Sequence, residues 1–405
     1  MADYSNIPAS ARLQPKPFTA HVDEEKLQHM KDLLKLSPIG PAVFENTSKN
    51  QGETHMASGE RRYGMRRDWL SNAKDHWLHS FDWRKHEDHI NSFPNFTLPI
   101  TDDDGIEIEV HFMALFSDKA DAVPIAFYHG WPGSFLEFLK IFTLLRQRYS
   151  PQDLPFHVIA PSLPGYAYSS GPPVDADYTT EQAASVMNKL MLGLGFESGY
   201  LAQGGDIGSF ISRTQAAKYD ACKSMHINMC MASPEVAQKD LPIDALEAKA
   251  LPRGADFRAS GFAYANEHGT RTGSIGLALS ASPLALLSWI GEKFLEWTDE
   301  DPALDDILES VSLYWLTDTF PRCIYPYRAL VASRAAPPYI EKPSGYSFFP
   351  KELFPCPKSW AAETMNLVAF GQHSGGGHFA AMEKPEELLA DVEDWVKKVW
   401  KGSKL

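Results

Sequence analysis

The stretch YLAQGGDIGS, Tyr200 to Ser209, reads as a buried strand that ends at a Gly-rich turn and opens a helix. A turn of this kind lifts the residue at its tip above the edge of a sheet, and small residues two places to either side let strand and helix approach each other. Gly204 and Gly208 hold the small positions and Asp206 the tip. A carboxylate there has two readings. It caps the helix that follows, as Asp does well. Or it is a nucleophile, because a carboxylate attacks a saturated carbon with a full negative charge and becomes an ester. A serine at the tip would suit acyl transfer, but Ser209 lies beyond it, on the helix.

Working outward, FTLPI (96–100) and IEIEVHFMALF (106–116) alternate apolar and polar residues, as strands with one solvated face do. TDDDG between them supplies a turn. VPIAFYHG (123–130) and FHVIAPSLPG (156–165) are short apolar runs closed by Gly and Pro, which suits buried parallel strands. YTTEQAASVMNKLMLGLGF has helical periodicity with Thr180 as its expected N-cap, and MHINMC (225–230) reads as a further strand. Strands alternating with helices imply a parallel sheet with right-handed crossovers. The alternation stops over residues 233–328, which read as helical and form an expected lid. It resumes with GYSFFP and MNLVAF before a last helix, PEELLADVEDWVKKVW. The expected division is an aromatic-rich N-terminal extension over 1–95, a first core part over 96–232, the lid over 233–328 and a second core part over 329–405.

The net charge of −14 comes without any block of like charges and argues against a nucleic-acid partner. Cys222, Cys230, Cys323 and Cys356 form no CxxC pair and read as buried reduced thiols. No secretory signal and no membrane span are expected, since the longest apolar stretch, IGLALSASPLALLSWIG, is broken by Ser and Pro. The chain ends in Ser403-Lys404-Leu405, a tripeptide read by the peroxisomal import receptor, so a peroxisomal location is expected, and otherwise a cytoplasmic one.

Three other segments carry chemistry. YHGWPGS (128–134) follows an apolar strand, upstream of the Asp206 turn by about one β-α-β unit. Its Trp131 N–H, together with the Ile207 N–H after the tip, would form an oxyanion site. GQHSGGGHFAAMEKPEEL (371–388) places His378 on a Gly-rich loop before the last helix, a fit place for a general base, with His373 as the competitor. A metal reading of this His pair is poor, because no Cys or acidic ligand stands at a zinc-like spacing, and no cofactor is expected. Glu352, two residues past the apolar run of GYSFFP, is the expected partner of the histidine, ahead of Glu341 and Glu363. A carboxylate nucleophile with a water-activating base suits the opening of an epoxide or the displacement of an alkyl halide.

YHGWPGS, GGDIGS, SLYWLTDTFPR and GGHFAAMEKPEEL, in this order and behind DWRKHEDHINSFPNFTLPI, resemble the epoxide hydrolases of the α/β-hydrolase superfamily, in the branch of the microsomal enzymes and their fungal relatives. The resemblance covers nearly the whole chain. It implies an α/β-hydrolase fold: a mostly parallel sheet flanked by helices, an inserted helical lid and an N-terminal extension wrapping the core. It implies an epoxide and water as substrates, with Asp206 as nucleophile, His378 as base and Glu352 as its acid. It further implies two lid tyrosines that bind and protonate the epoxide oxygen, by position Tyr264 and Tyr327, with Tyr325 a near neighbour of the second. Such relatives often form homodimers through the lid. The microsomal members carry an N-terminal membrane anchor that is not seen here, so a soluble protein is expected. The rivals are a haloalkane dehalogenase, which usually has Trp directly after its nucleophile where this chain has Ile207, and a non-catalytic ligand-binding homologue, which would have lost a member of the triad.

Overall fold

The computed structural model of the protein describes residues 3–47, 63–332 and 338–400, so the terminal Ser-Lys-Leu lies outside the described residues. Among the described residues there are nine strands, one short strand, β1 (Lys16–Phe18), and eight from the apolar runs: β2 (Asn95–Thr101), β3 (Glu107–Leu115), β4 (Val123–Tyr128), β5 (Phe156–Pro161), β6 (Tyr200–Gly204), β7 (Cys222–Ile227), β8 (Ile340–Phe348) and β9 (Met365–Gln372). They form one sheet in the order β1-β2-β3-β5-β4-β6-β7-β8-β9. β1 through β3 pair antiparallel, and β3 meets β5 antiparallel. From β5 across to β9 all pairing is parallel. Every residue of β4, β5 and β6 is buried, as strands covered by helices on both faces must be, whereas Glu107 and Glu109 of β3 reach water.

Two local expectations shift. The helix Thr180–Gly193 is capped by Thr179 rather than Thr180: the Thr179 hydroxyl accepts the Gln182 N–H at 3.2 Å, and Gln182 Oε1 accepts the Thr179 N–H at 2.9 Å. The three-residue β1 has too short a run to declare itself in the sequence, and it forms only because β2 offers it an open edge.

The described residues between β7 and β8 are largely helical, and the last helix among them, Pro326–Ala332, runs past residue 328. The N-terminal helices pack on this layer. Trp77 Nε1–H donates to Ser312 Oγ at 3.1 Å, and His76 meets Asp305 at 2.7 Å. The extension also joins the core, where the Tyr4 hydroxyl donates to the Tyr149 carbonyl and the Phe116 N–H donates to the Tyr4 carbonyl. The four cysteines are buried and free. Among the described residues no single helix is long and apolar enough to cross a membrane. The broken apolar stretch folds into Thr272–Leu279 and Pro283–Trp297, bent by 116°.

Candidate active site

Four turns at the carboxyl ends of parallel strands converge beneath the lid, which is where open α/β sheets hold ligands. β6 leads directly into the helix Asp206–Lys218, and Asp206 takes the left-handed conformation at φ +45°. For a residue with a side chain this costs ~1–2 kcal/mol. It turns the carboxylate away from its own helix: the N-cap is Gly205, and Asp206 makes no capping bond. Instead Asp206 Oδ1 accepts the Trp131 N–H at 2.8 Å, across from the turn after β4. The glycines around it are required by contact. A Cβ on Gly208 would lie 2.1 Å from the Tyr128 carbonyl oxygen, and one on Gly130 would lie 2.2 Å from Asp206 Oδ1. Ile207 follows at the second position of the helix, where backbone N–H groups have no intrahelical acceptor and the helix dipole favours negative charge.

Beyond β9, His378 is held from both ends. Its backbone N–H donates to the carbonyl of Trp297, the last residue of the lid helix Pro283–Trp297, at 2.9 Å. Its Nδ1 lies 2.7 Å from Glu352 Oε1, and its Nε2 faces Asp206 Oδ2 at 3.4 Å. Burial by itself pushes the imidazole down. The Glu352 charge and the hydrogen bonds that the ring donates to Asp206 and Glu352 outweigh it and raise the group to about 10. Glu352 sits past the end of β8, buried, and also accepts the Leu353 N–H at 2.5 Å. The other candidates lie elsewhere. His373 bonds Asp391 at 2.7 Å on the last helix, Glu363 pairs with Lys239, and Glu341 is exposed on β8.

The lid closes the site with rings. Tyr264, on the helix Ala263–Thr270, stacks on Trp131 with centroids 5.2 Å apart at 15°. Tyr327, on the last lid helix, stands edge-on to Trp131 at 5.8 Å and to Tyr264 at 5.6 Å. Tyr325 points elsewhere and packs on Tyr178. Burial and the nearby Asp206 hold both Tyr264 and Tyr327 well above the ordinary phenol value, so both are neutral at rest. His268 fills the gap between them, 4.6 Å from Trp131 and 4.8 Å from Tyr327. It is pushed down to about 3 by burial and by Lys293.

Several supporting residues escaped the sequence reading. Arg253 of the lid is buried and donates to the backbone carbonyls of Glu352 and Glu296 at 3.2 and 3.0 Å. Glu383 accepts the N–H groups of Asp299, Gly377 and Phe379, which fastens the His378 loop to the lid. Glu137 is a third carboxyl near the centre. Burial pushes it up to about 8, with His378 opposing and Asp206 adding to the rise. Of these only Glu383 lies in a motif that stood out, GGHFAAMEKPEEL. Among the described residues no group of three or more His, Cys, Asp or Glu side chains is placed to hold a metal.

The sequence and the fold have counterparts. A family model described as epoxide hydrolase N terminus matches residues 15–138, and one described as alpha/beta hydrolase fold matches residues 123–260. Over 400 residues the chain is 52% identical to an epoxide hydrolase homologue of Dothistroma septosporum, covering 98% of this chain and 93% of that protein. The structure is similar to that of Aspergillus niger epoxide hydrolase, with a TM-score of 0.91 and 47% identity over 99% of this chain and 100% of the other. The juvenile hormone epoxide hydrolase of the silkworm Bombyx mori shares the fold at a TM-score of 0.82 and 23% identity, over 97% and 96% of the two chains.

Proposed function

The chain belongs to the epoxide hydrolases of the α/β-hydrolase fold, and from that premise we propose how its residues divide the conversion of an epoxide and water into a vicinal diol. The Asp206 carboxylate attacks an epoxide carbon. The ring C–O bond breaks, and the oxygen takes a proton from a lid phenol, Tyr264 or Tyr327. A phenol suits this step because an alkoxide is far more basic than a phenolate. Asp206 is now a neutral ester. One of the two negative charges beside His378 is gone, so its imidazolium releases a proton, which restores the phenol. Neutral His378, held by Glu352, then takes a proton from water as the water attacks the ester carbonyl. The Trp131 and Ile207 N–H groups stabilise the resulting oxyanion. On collapse the ester C–O bond breaks and the departing diol oxygen takes the proton of the added hydroxyl, which leaves Asp206 a carboxylate and His378 an imidazolium, so no proton is gained or lost over the cycle.

The observation that carries this reading is the placement of Asp206 between the Trp131 N–H at 2.8 Å and His378 at 3.4 Å, with Glu352 behind the histidine at 2.7 Å. A dehalogenase is not favoured, because the residue after the nucleophile is the apolar Ile207. A binding module is not favoured, because no member of the charged set is missing. The rings of Trp131, Tyr264, Tyr327 and Trp297 favour an epoxide on an aryl or alkyl scaffold.

The test uses His378→Gln with a panel of aryl and alkyl epoxides, quenched in acid and mapped by peptide mass. An adduct on the Asp206 peptide, absent from Asp206→Asn, is the expected result. No adduct from any panel member, together with no diol from the intact enzyme, would remove the reading.

A further inference from the structure

Lys293 is a buried cation in the lid that the steps above leave unused. It stands on Pro283–Trp297, one turn before Trp297, with its side chain 5% exposed. Its ammonium lies over the Tyr264 ring, 5.1 Å from the centroid, and 5.3 Å from that of Trp289. It pairs with the adjacent Glu292, whose side chain is 21% exposed. Removing an ammonium from water costs several kcal/mol, so its position calls for a physical reason. The carboxylate half of the pair is partly solvated and screened, while the ammonium half faces a dry ring. The pair therefore presents its positive end to Tyr264. A cation over a phenol is attracted to the ring face, and more so to a phenolate, whose charge spreads into the ring.

We propose that Lys293 makes Tyr264, rather than Tyr327, the proton donor when the epoxide opens, by holding positive charge against the Tyr264 ring. This rests on the reaction assigned above and names which phenol serves it. Asp206 forms the new C–O bond, the epoxide oxygen takes the Tyr264 proton, and the phenolate stays beside Lys293 until His378 returns a proton. Among the described residues no Lys or Arg lies over the Tyr327 ring, whose neighbours are Trp131, Tyr264 and the neutral His268. The Asp206 charge acts against a phenolate at either ring, and Glu352 against one at Tyr264.

The experiment is a single-turnover reaction with excess enzyme and styrene oxide, quenched at intervals, in which ester formation and ester decay are read separately by intact mass. Lys293→Met should slow ester formation about tenfold and leave ester decay unchanged. Lys293→Arg should recover most of the rate. In the wild-type background Tyr264→Phe should cost more than Tyr327→Phe, and in Lys293→Met that difference should vanish. Equal slowing of both steps, or unchanged ester formation, would overturn the proposal in favour of a packing role. Should Lys293→Met fail to fold, Glu292→Gln decides: losing the counter-charge should speed ester formation, and no gain overturns the proposal. A wild-type enzyme that forms no Asp206 ester at all would instead sink the reaction scheme beneath it.

Discussion

The turns at the strand ends and the lid above them hold their reactive groups by different means. Asp206, Glu352 and His378 are placed by hydrogen bonds and charge: Trp131 N–H on Asp206, Glu352 on His378, the Trp297 carbonyl on the His378 backbone. Tyr264 and Tyr327 are placed by packed rings, Trp131, Trp297 and His268 among them. The difference follows the chemistry. A nucleophile and a base must meet reacting atoms at a set distance, which directional bonds fix. A phenol that lends a proton needs a dry surround, and an aromatic box supplies one.

One methyl group placed in each region would break the comparison in distinct ways. Gly130→Ala puts a Cβ 2.2 Å from Asp206 Oδ1, so the carboxylate must leave its seat on the Trp131 N–H. Both ester formation and ester decay should slow, with kcat/KM falling ~100-fold or more. Gly269→Ala puts a Cβ 2.7 Å from the Tyr327 carbonyl oxygen, which forces apart the two helices that carry the tyrosines. That change should slow ester formation alone, by about tenfold. Rapid-quench kinetics on the two variants reads both steps. If Gly269→Ala slows ester decay as much as ester formation, the lid does more than supply protons.

The strand-end turns were also the legible part of the sequence, for the same reason. A residue at the tip of a strand-turn-helix elbow is announced by the glycines that the close approach demands, and the β6 turn, the β4 turn and the His378 loop all carry them. Glu352 could be placed because it follows the end of β8. The lid is harder to read. Its helical periodicity shows, but the choice between Tyr325 and Tyr327 depends on how a turn and the short helix after it are set against Trp131. Arg253 and Lys293 act through a backbone carbonyl and a ring face on other elements. Contacts of that kind leave no spacing in the sequence. β1 was missed because three residues carry no periodicity, and Thr179 displaced Thr180 as a cap because the reciprocal bond with Gln182 decides the matter.

The last expected effect involves no rate, and it sets the two regions against each other through one histidine in each. His378 is raised to about 10 in the folded protein, above its ordinary value near 6.5. Between those values the folded state holds a proton that the unfolded state has lost. The stability it contributes is full below about 6.5 and declines as pH rises through about 10. His268 is lowered to about 3 in its aromatic box. Below about 6.5 the unfolded chain binds a proton there that the folded lid refuses, so stability falls as pH drops from that value toward 3. Urea unfolding of the wild type, His378→Gln and His268→Gln across pH measures both, and titrating groups that do not interact with the substituted histidine cancel in the differences. The advantage of wild type over His378→Gln should shrink from pH 7 to pH 10, and its advantage over His268→Gln should shrink from pH 6.5 to pH 4.5. A flat first difference would mean that His378 rests neutral between its two carboxylates. The proton that restores the phenol would then have to come from water, and the link between ester formation at Asp206 and the release of that proton would be lost.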